Sequence, residues 1–117
     1  MVDDDDSMRE ALESLLKSVG YRTATFASAQ DFLQANERNE TNCLILDVRM
    51  PAMNGLELQQ KLAAENSRVP IVFISANSES GEKEQALAGG AVDFLYKPFS
   101  EDSLLGAIRA AINIQAV

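Results

Sequence analysis

The feature that most constrains this chain is an apolar run that ends on a charge. Cys43-Leu44-Ile45-Leu46 leads straight into Asp47, and Arg49-Met50-Pro51 and Asn54-Gly55 follow at once. A short continuous apolar run bounded by turn residues reads as a strand buried on both faces. Asp47 then stands at the carboxyl end of a buried parallel strand. In open α/β sheets this edge is where ligands bind. A single such Asp more often caps a turn, so the reading rests on what the rest of the chain brings to the same edge.

The remaining pattern alternates between helical and strand periods. Met8, Ala11, Leu12, Leu15, Leu16 and Val19 recur on one helical face, with Ser7 and Glu10 as a capping-box pair and Gly20 as the stop. Residues 21–26 alternate and are rich in β-formers, which predicts a strand. Ser28 caps a short helix carrying Ala29, Phe32 and Leu33, and a polar loop spans 37–41. After the Cys43 strand comes a helix over 55–65 with Leu58 and Leu62 one turn apart. A buried strand over 69–74 ends in Ser75-Ala76-Asn77. A weak, polar helix over 79–88 contains Gly81. Gly89-Gly90 ends it, and a strand over 91–96 runs into Lys97-Pro98. Ser100 caps a last helix whose stripe is Leu104, Leu105, Ile108, Ala111 and Ile112.

This alternation predicts a parallel sheet with helices on both faces, every strand's carboxyl end on one edge. That edge collects the Asp3-Asp4 pair, Asp47, Ser75 and Lys97, each following a separate strand.

Composition removes several function classes. The 117 residues fit one domain. A hydrophobic content of 46% supports a real core. Ten basic and 18 acidic residues leave a net charge of −8, which repels nucleic acid and anionic membrane. The chain has no histidine, so Ser-His-Asp catalysis and histidine metal sites are excluded, and the lone Cys43 reads as core filler. No secretory or membrane-length apolar run is present, which predicts a cytoplasmic protein.

Clustered carboxylates without His or Cys suit a hard divalent cation, and Mg²⁺ needs few protein carboxylates. Such a cluster raises its own proton affinity unless a cation neutralises it. An Asp held beside a metal and a Lys can act as a nucleophile towards phosphorus, giving an aspartyl phosphate. Ser75 could donate to a phosphoryl oxygen. The same groups could pose a water for hydrolysis. Taken singly, Asp3 to Asp6 reads as a solvated acidic terminus, Lys97 as a surface ion pair and Ser75 as a cap.

The chain resembles the receiver domain of two-component response regulators, and within it the FixJ/NarL-type branch. The residues that carry the resemblance are Val2-Asp3-Asp4, Leu46-Asp47-Val48-Arg49-Met50-Pro51, Asn54-Gly55, Ile74-Ser75-Ala76, Gly90-Ala91-Val92-Asp93-Phe94 and Lys97-Pro98-Phe99. It implies a doubly wound, five-stranded, flavodoxin-like parallel sheet of order 2-1-3-4-5. It implies one receiver domain over residues 1–117, truncated at its start and with no effector domain. Only Met1-Val2 precedes the Asp pair, so the first strand is expected to be very short or missing.

The resemblance also implies roles. Asp47 is the phosphoacceptor. Asp3, Asp4, Asp47 and the Arg49 backbone carbonyl hold Mg²⁺. Ser75 and Lys97 contact the phosphoryl group, Ser75 and Phe94 form the switch, and Arg49 and Asn77 tune hydrolysis. The partner is a sensor histidine kinase. The 79–96 face is expected to respond, as a homodimer surface or as the control on an effector, with no nucleic acid or membrane contact by this domain. Three other readings stand beside this one. A phosphatase using Asp47 lacks the second Asp two residues on, where Arg49 sits. A flavin domain lacks a phosphate loop after Val2. An inert interaction module would follow from the short first strand.

Overall fold

A computed structural model of the chain describes residues 1–35, 41–50, 52–76 and 81–115. Its core is a parallel sheet of three strands, β1 (Leu44–Asp47), β2 (Ile71–Ser75) and β3 (Asp93–Tyr96), in the order β1-β2-β3. β1 and β2 are buried along their whole length, as continuous apolar runs require.

The order continues past β1 through two single bridges. Val2 pairs in parallel with Leu46 on one side and with Phe26 on the other. From Phe26 through Val2 to β3 the sequence of neighbours is 2-1-3-4-5, so the flavodoxin-like arrangement holds. The first strand is a single bridge at Val2, as short as expected, whereas the strand expected over 21–26 is reduced to a bridge at Phe26, with residues 21–25 forming none. A strand exists by pairing, and the facing row offers 21–26 only three residues. Phe26 N donates to Met1 O, Asp3 N to Phe26 O, and the Met1 ammonium to Ala24 O.

Alternate strand residues face opposite layers. Leu44, Leu46, Phe73 and Phe94 pack with α2 (Ala29–Gln34), α3 (Gly55–Ala64) and α4 (Glu82–Ala88) through Phe32, Leu58, Leu62 and Ala86. Ile45 and Ile74 pack the other way, against α1 (Asp6–Ser18) and α5 (Glu101–Gln115) through Leu12, Leu16, Leu104 and Ile108. Helices therefore cover both faces, and the sheet's carboxyl edge stays open.

Local signals set where each helix begins. α1 starts earlier than the Ser7–Glu10 pair implied, because Asp5 caps it: its Oδ1 accepts from Ser7 N at 2.9 Å and Met8 N at 3.2 Å. It ends in paired closing bonds, Gly20 N to Lys17 O and Tyr21 N to Leu16 O, around Gly20 at φ 94°. Asn54 and Glu57 form a reciprocal capping box at α3. Ser100 Oγ accepts from Ser103 N at the head of α5. Gly81 is not inside α4 but precedes it, at φ 98°. The expected helix start at Glu79 and most of the 37–41 loop lie outside the described residues.

One contact fixes the end of β1. Gly55 opens α3 with its N–H on Val48 O, and a Cβ there would come within 2.4 Å of Asp47 O. Only glycine lets the helix approach the strand end so closely.

Candidate functional site

β1 delivers the Asp47 carboxyl to the open edge, and the bridge at Val2 delivers Asp3 and Asp4 beside it. One oxygen from each of these three carboxylates lies within 4.8 Å of the others. Asp3 is fully buried, Asp47 nearly so, and Asp4 is exposed. Asp3 is anchored at both ends: its Oδ1 accepts from Asp5 N at 3.0 Å, and its carbonyl accepts from Arg9 Nη1 at 2.7 Å. Arg9 also pairs with Asp6.

β3 brings the cation. Lys97 follows Tyr96, which is in register with Ser75, and Lys97 N donates to Ser75 O at 2.7 Å. Lys97 Nζ lies 3.3 Å from Asp3 Oδ2 and 4.0 Å from Asp47 Oδ2. The Lys97–Pro98 bond is cis. Ser75 is buried at the end of β2, one residue beyond the Ile74 that pairs with Asp47.

Electrostatics mark Asp47 out. Its pKa is pushed up to about 7, first by burial, then by the Asp3 charge and a hydrogen bond with Asp3. Lys97 and the Arg49 N–H, 3.3 Å from Asp47 Oδ1, pull the other way. Three crowded carboxylates with one ammonium are short of positive charge. An all-oxygen donor set with no His or Cys fits a hard divalent cation, which would relieve that shortage.

Of the other residues singled out from sequence, Phe94 is buried, its ring 5.9 Å from that of Phe73 and 5.3 Å from that of Tyr96. Arg49 is at the rim, its guanidinium 3.3 Å from Glu82 Oε2. Asn77 lies outside the described residues. Cys43 is half-buried away from this edge, and burial raises its thiol to about 11, which favours the protonated form at neutral pH. Sequence reasoning missed Arg9 and Glu82. Arg9 sits one helical turn after the acidic run and carried a weak signal. Glu82 carried none, since its contact joins the loop after β1 to the distant start of α4.

The sequence pattern of the response regulator receiver domain matches residues 1–109. The chain belongs to that family. Receiver domains are phosphorylation-controlled signalling switches, and this receiver is similar to several from transcriptional regulators. Response regulator protein TmoT of Ectopseudomonas mendocina is 47% identical over 114 residues, covering 97% of this chain and 52% of that protein. Transcriptional regulatory protein FixJ of Bradyrhizobium diazoefficiens is 39% identical over 113 residues, covering 97% and 55%. The receiver thus spans about half the length of these curated relatives. Among solved structures, response regulator StyR superposes with a TM-score of 0.92 at 44% identity, over 98% of this chain and 58% of that one. FixJ-N gives 0.86 at 31% identity, over 96% and 90%. Among the described residues no helix is long and apolar enough to cross a membrane.

Proposed function

We propose that this receiver takes a phosphoryl group on Asp47 and that residues 1–117 form one such domain. The observation that carries this is the edge geometry: three carboxylates within 4.8 Å of one another, with Lys97 Nζ reaching Asp3 and Asp47. An Asp47 carboxylate oxygen attacks phosphorus. The donor's bond to phosphorus breaks, and its electron pair leaves with the donor. Asp47 attacks as its carboxylate, the form that Lys97 and a bound cation favour, so no histidine base is required.

Asp3, Asp4, Asp47 and the Arg49 carbonyl are the residues that would hold Mg²⁺, which when bound neutralises phosphoryl charge. Lys97 then has two tasks. It holds Asp3 before transfer and meets a phosphoryl oxygen after it. Ser75 is the hydroxyl at the neighbouring strand end, and Phe94 the ring that answers it. Arg49 and Asn77 are the residues proposed to tune hydrolysis of the acyl phosphate.

Response regulators receive their phosphoryl group from sensor histidine kinases, and that is the donor proposed here, in the cytoplasm. The output is the 79–96 face, as a homodimer surface or as control over a transcriptional effector domain. The net charge of −8 argues that any nucleic acid contact belongs to another domain. Autodephosphorylation at the same site is the only turnover proposed.

Borohydride reduction of the phosphorylated receiver, followed by peptide mapping, tests the acceptor. An acyl phosphate on Asp47 is reduced to homoserine at that position alone. Homoserine at Asp3 or Asp4, or at none of the three, contradicts the proposal.

A further inference from the structure

We infer that Glu82 restrains Arg49, as a latch that ties the acceptor loop to the start of α4 before phosphorylation. This rests on the reading of Asp47 as the phosphoacceptor. Arg49 is bonded at both ends. Its main-chain N–H donates to Asp47 Oδ1 at 3.3 Å, and its guanidinium stands 3.3 Å from Glu82 Oε2. Glu82 is the first residue of α4, so one side chain spans from the acceptor loop to the helix start.

The pair is unequal. The Arg49 side chain is 49% exposed, whereas that of Glu82 is 19% exposed. Glu82 Oε1 is buried and has no hydrogen-bond partner among the described residues. A carboxylate that has lost water on one oxygen depends on the cation at the other. Arg49 is the more exposed partner, and Glu82 is the one that depends on the pair.

A phosphoryl group on Asp47 changes the competition. It adds negative charge and three strong acceptor oxygens two residues from Arg49, and a guanidinium matches phosphate oxygens in fork geometry. Arg49 exchanges Glu82 for the phosphoryl group. Glu82 is then a largely buried, unpaired carboxylate in the first turn of α4. Its relief is water, reached by moving the helix start. α4 is built to yield: it has seven residues, Gly81 precedes it at φ 98°, and only Ala86 is buried. The far end stays tied, because the buried Gln59 Nε2 donates to Ala86 O at 2.9 Å.

The test compares the wild-type chain, Glu82→Gln, Arg49→Ala and the double variant. Each is loaded with acetyl phosphate and Mg²⁺ and followed by intact mass, and amide exchange over 82–88 is read before and after loading. The latch predicts that Glu82→Gln speeds loading about three- to fivefold, the scale of a partly exposed ion pair. It predicts no further effect of Glu82→Gln once Arg49 is Ala. Exchange over 82–88 rises by a similar factor on loading the wild type, and is already raised in unloaded Glu82→Gln and Arg49→Ala. The second variant opens the latch from its other side should Glu82→Gln fold poorly. A Glu82→Gln effect of equal size without Arg49, or unchanged rates and exchange in every variant, overturns the latch alone. Failure of the wild type to load overturns the acceptor reading and the latch with it.

Discussion

Lys97 Nζ lies 3.3 Å from Asp3 Oδ2, and that contact closes the site across the sheet from its last strand to its first bridge. Asp3 is fully buried, so its charge depends on this partner. Removing one member of a buried pair strands the other. Lys97→Met is expected to cost about 2–4 kcal/mol in metal-free buffer. Saturating Mg²⁺ should return part of that loss, because a cation at the carboxylates replaces the missing charge. Urea midpoints with EDTA and with Mg²⁺ check both parts.

Two glycines should answer alanine in opposite directions. At Gly55 a Cβ meets Asp47 O at 2.4 Å and Phe73 Cε1 at 3.1 Å. The helix must back away from β1, at a cost of about 1–3 kcal/mol. At Gly106, exposed within α5, a Cβ meets nothing within 4 Å. Alanine there should stabilise by about 0.5–1 kcal/mol through helix propensity. Thermal unfolding of the two variants separates packing from propensity.

The pH dependence has a definite sign. Asp47 titrates at about 7 in the folded chain against an ordinary value of 3.8, chiefly through burial. The folded state holds this proton more tightly than the unfolded state. The contribution is full below the unfolded value and is lost as pH rises through about 7. The Met1 ammonium, lowered by burial to about 6 from 8.0, works the other way between those values. The useful quantity is therefore the difference between the wild type and Asp47→Asn. In EDTA, Asp47→Asn should be the more stable of the two at about pH 8, with the gap shrinking towards about pH 5. Because the proton competes for the same carboxylate, Mg²⁺ affinity of the wild type should fall below about pH 7. Urea titrations and Mg²⁺ titrations at several pH values read the two effects.

How legible this was depended on the range of each interaction. β1 and β2 are readable because each is an apolar run that stops at turn residues, and β3 because Gly89-Gly90 and Lys97-Pro98 bracket it. Residues 21–26 had the right alternation but not the partners, and alternation says nothing about what lies alongside. In α1 four consecutive Asp residues precede Ser7, and the Ser7–Glu10 spacing carries no sign that Asp5 is the cap. The site residues Asp3, Asp4, Asp47, Ser75 and Lys97 could be gathered from sequence because a parallel sheet sends every strand end to one edge. That Asp3 is buried on Lys97 while Asp4 faces solvent was not legible, because it depends on the direction of the chain after one bridge. Glu82 was invisible for a related reason: its meaning lies wholly in the position of Arg49.

Phosphoryl uptake at one residue is the central claim, and intact mass reads it directly. The wild-type chain and Asp47→Asn are incubated with acetyl phosphate, each with Mg²⁺ and with EDTA. The account predicts one added phosphoryl group in the wild type with Mg²⁺, and none in the variant or in EDTA. Equal labelling of Asp47→Asn, or labelling indifferent to Mg²⁺, would contradict it.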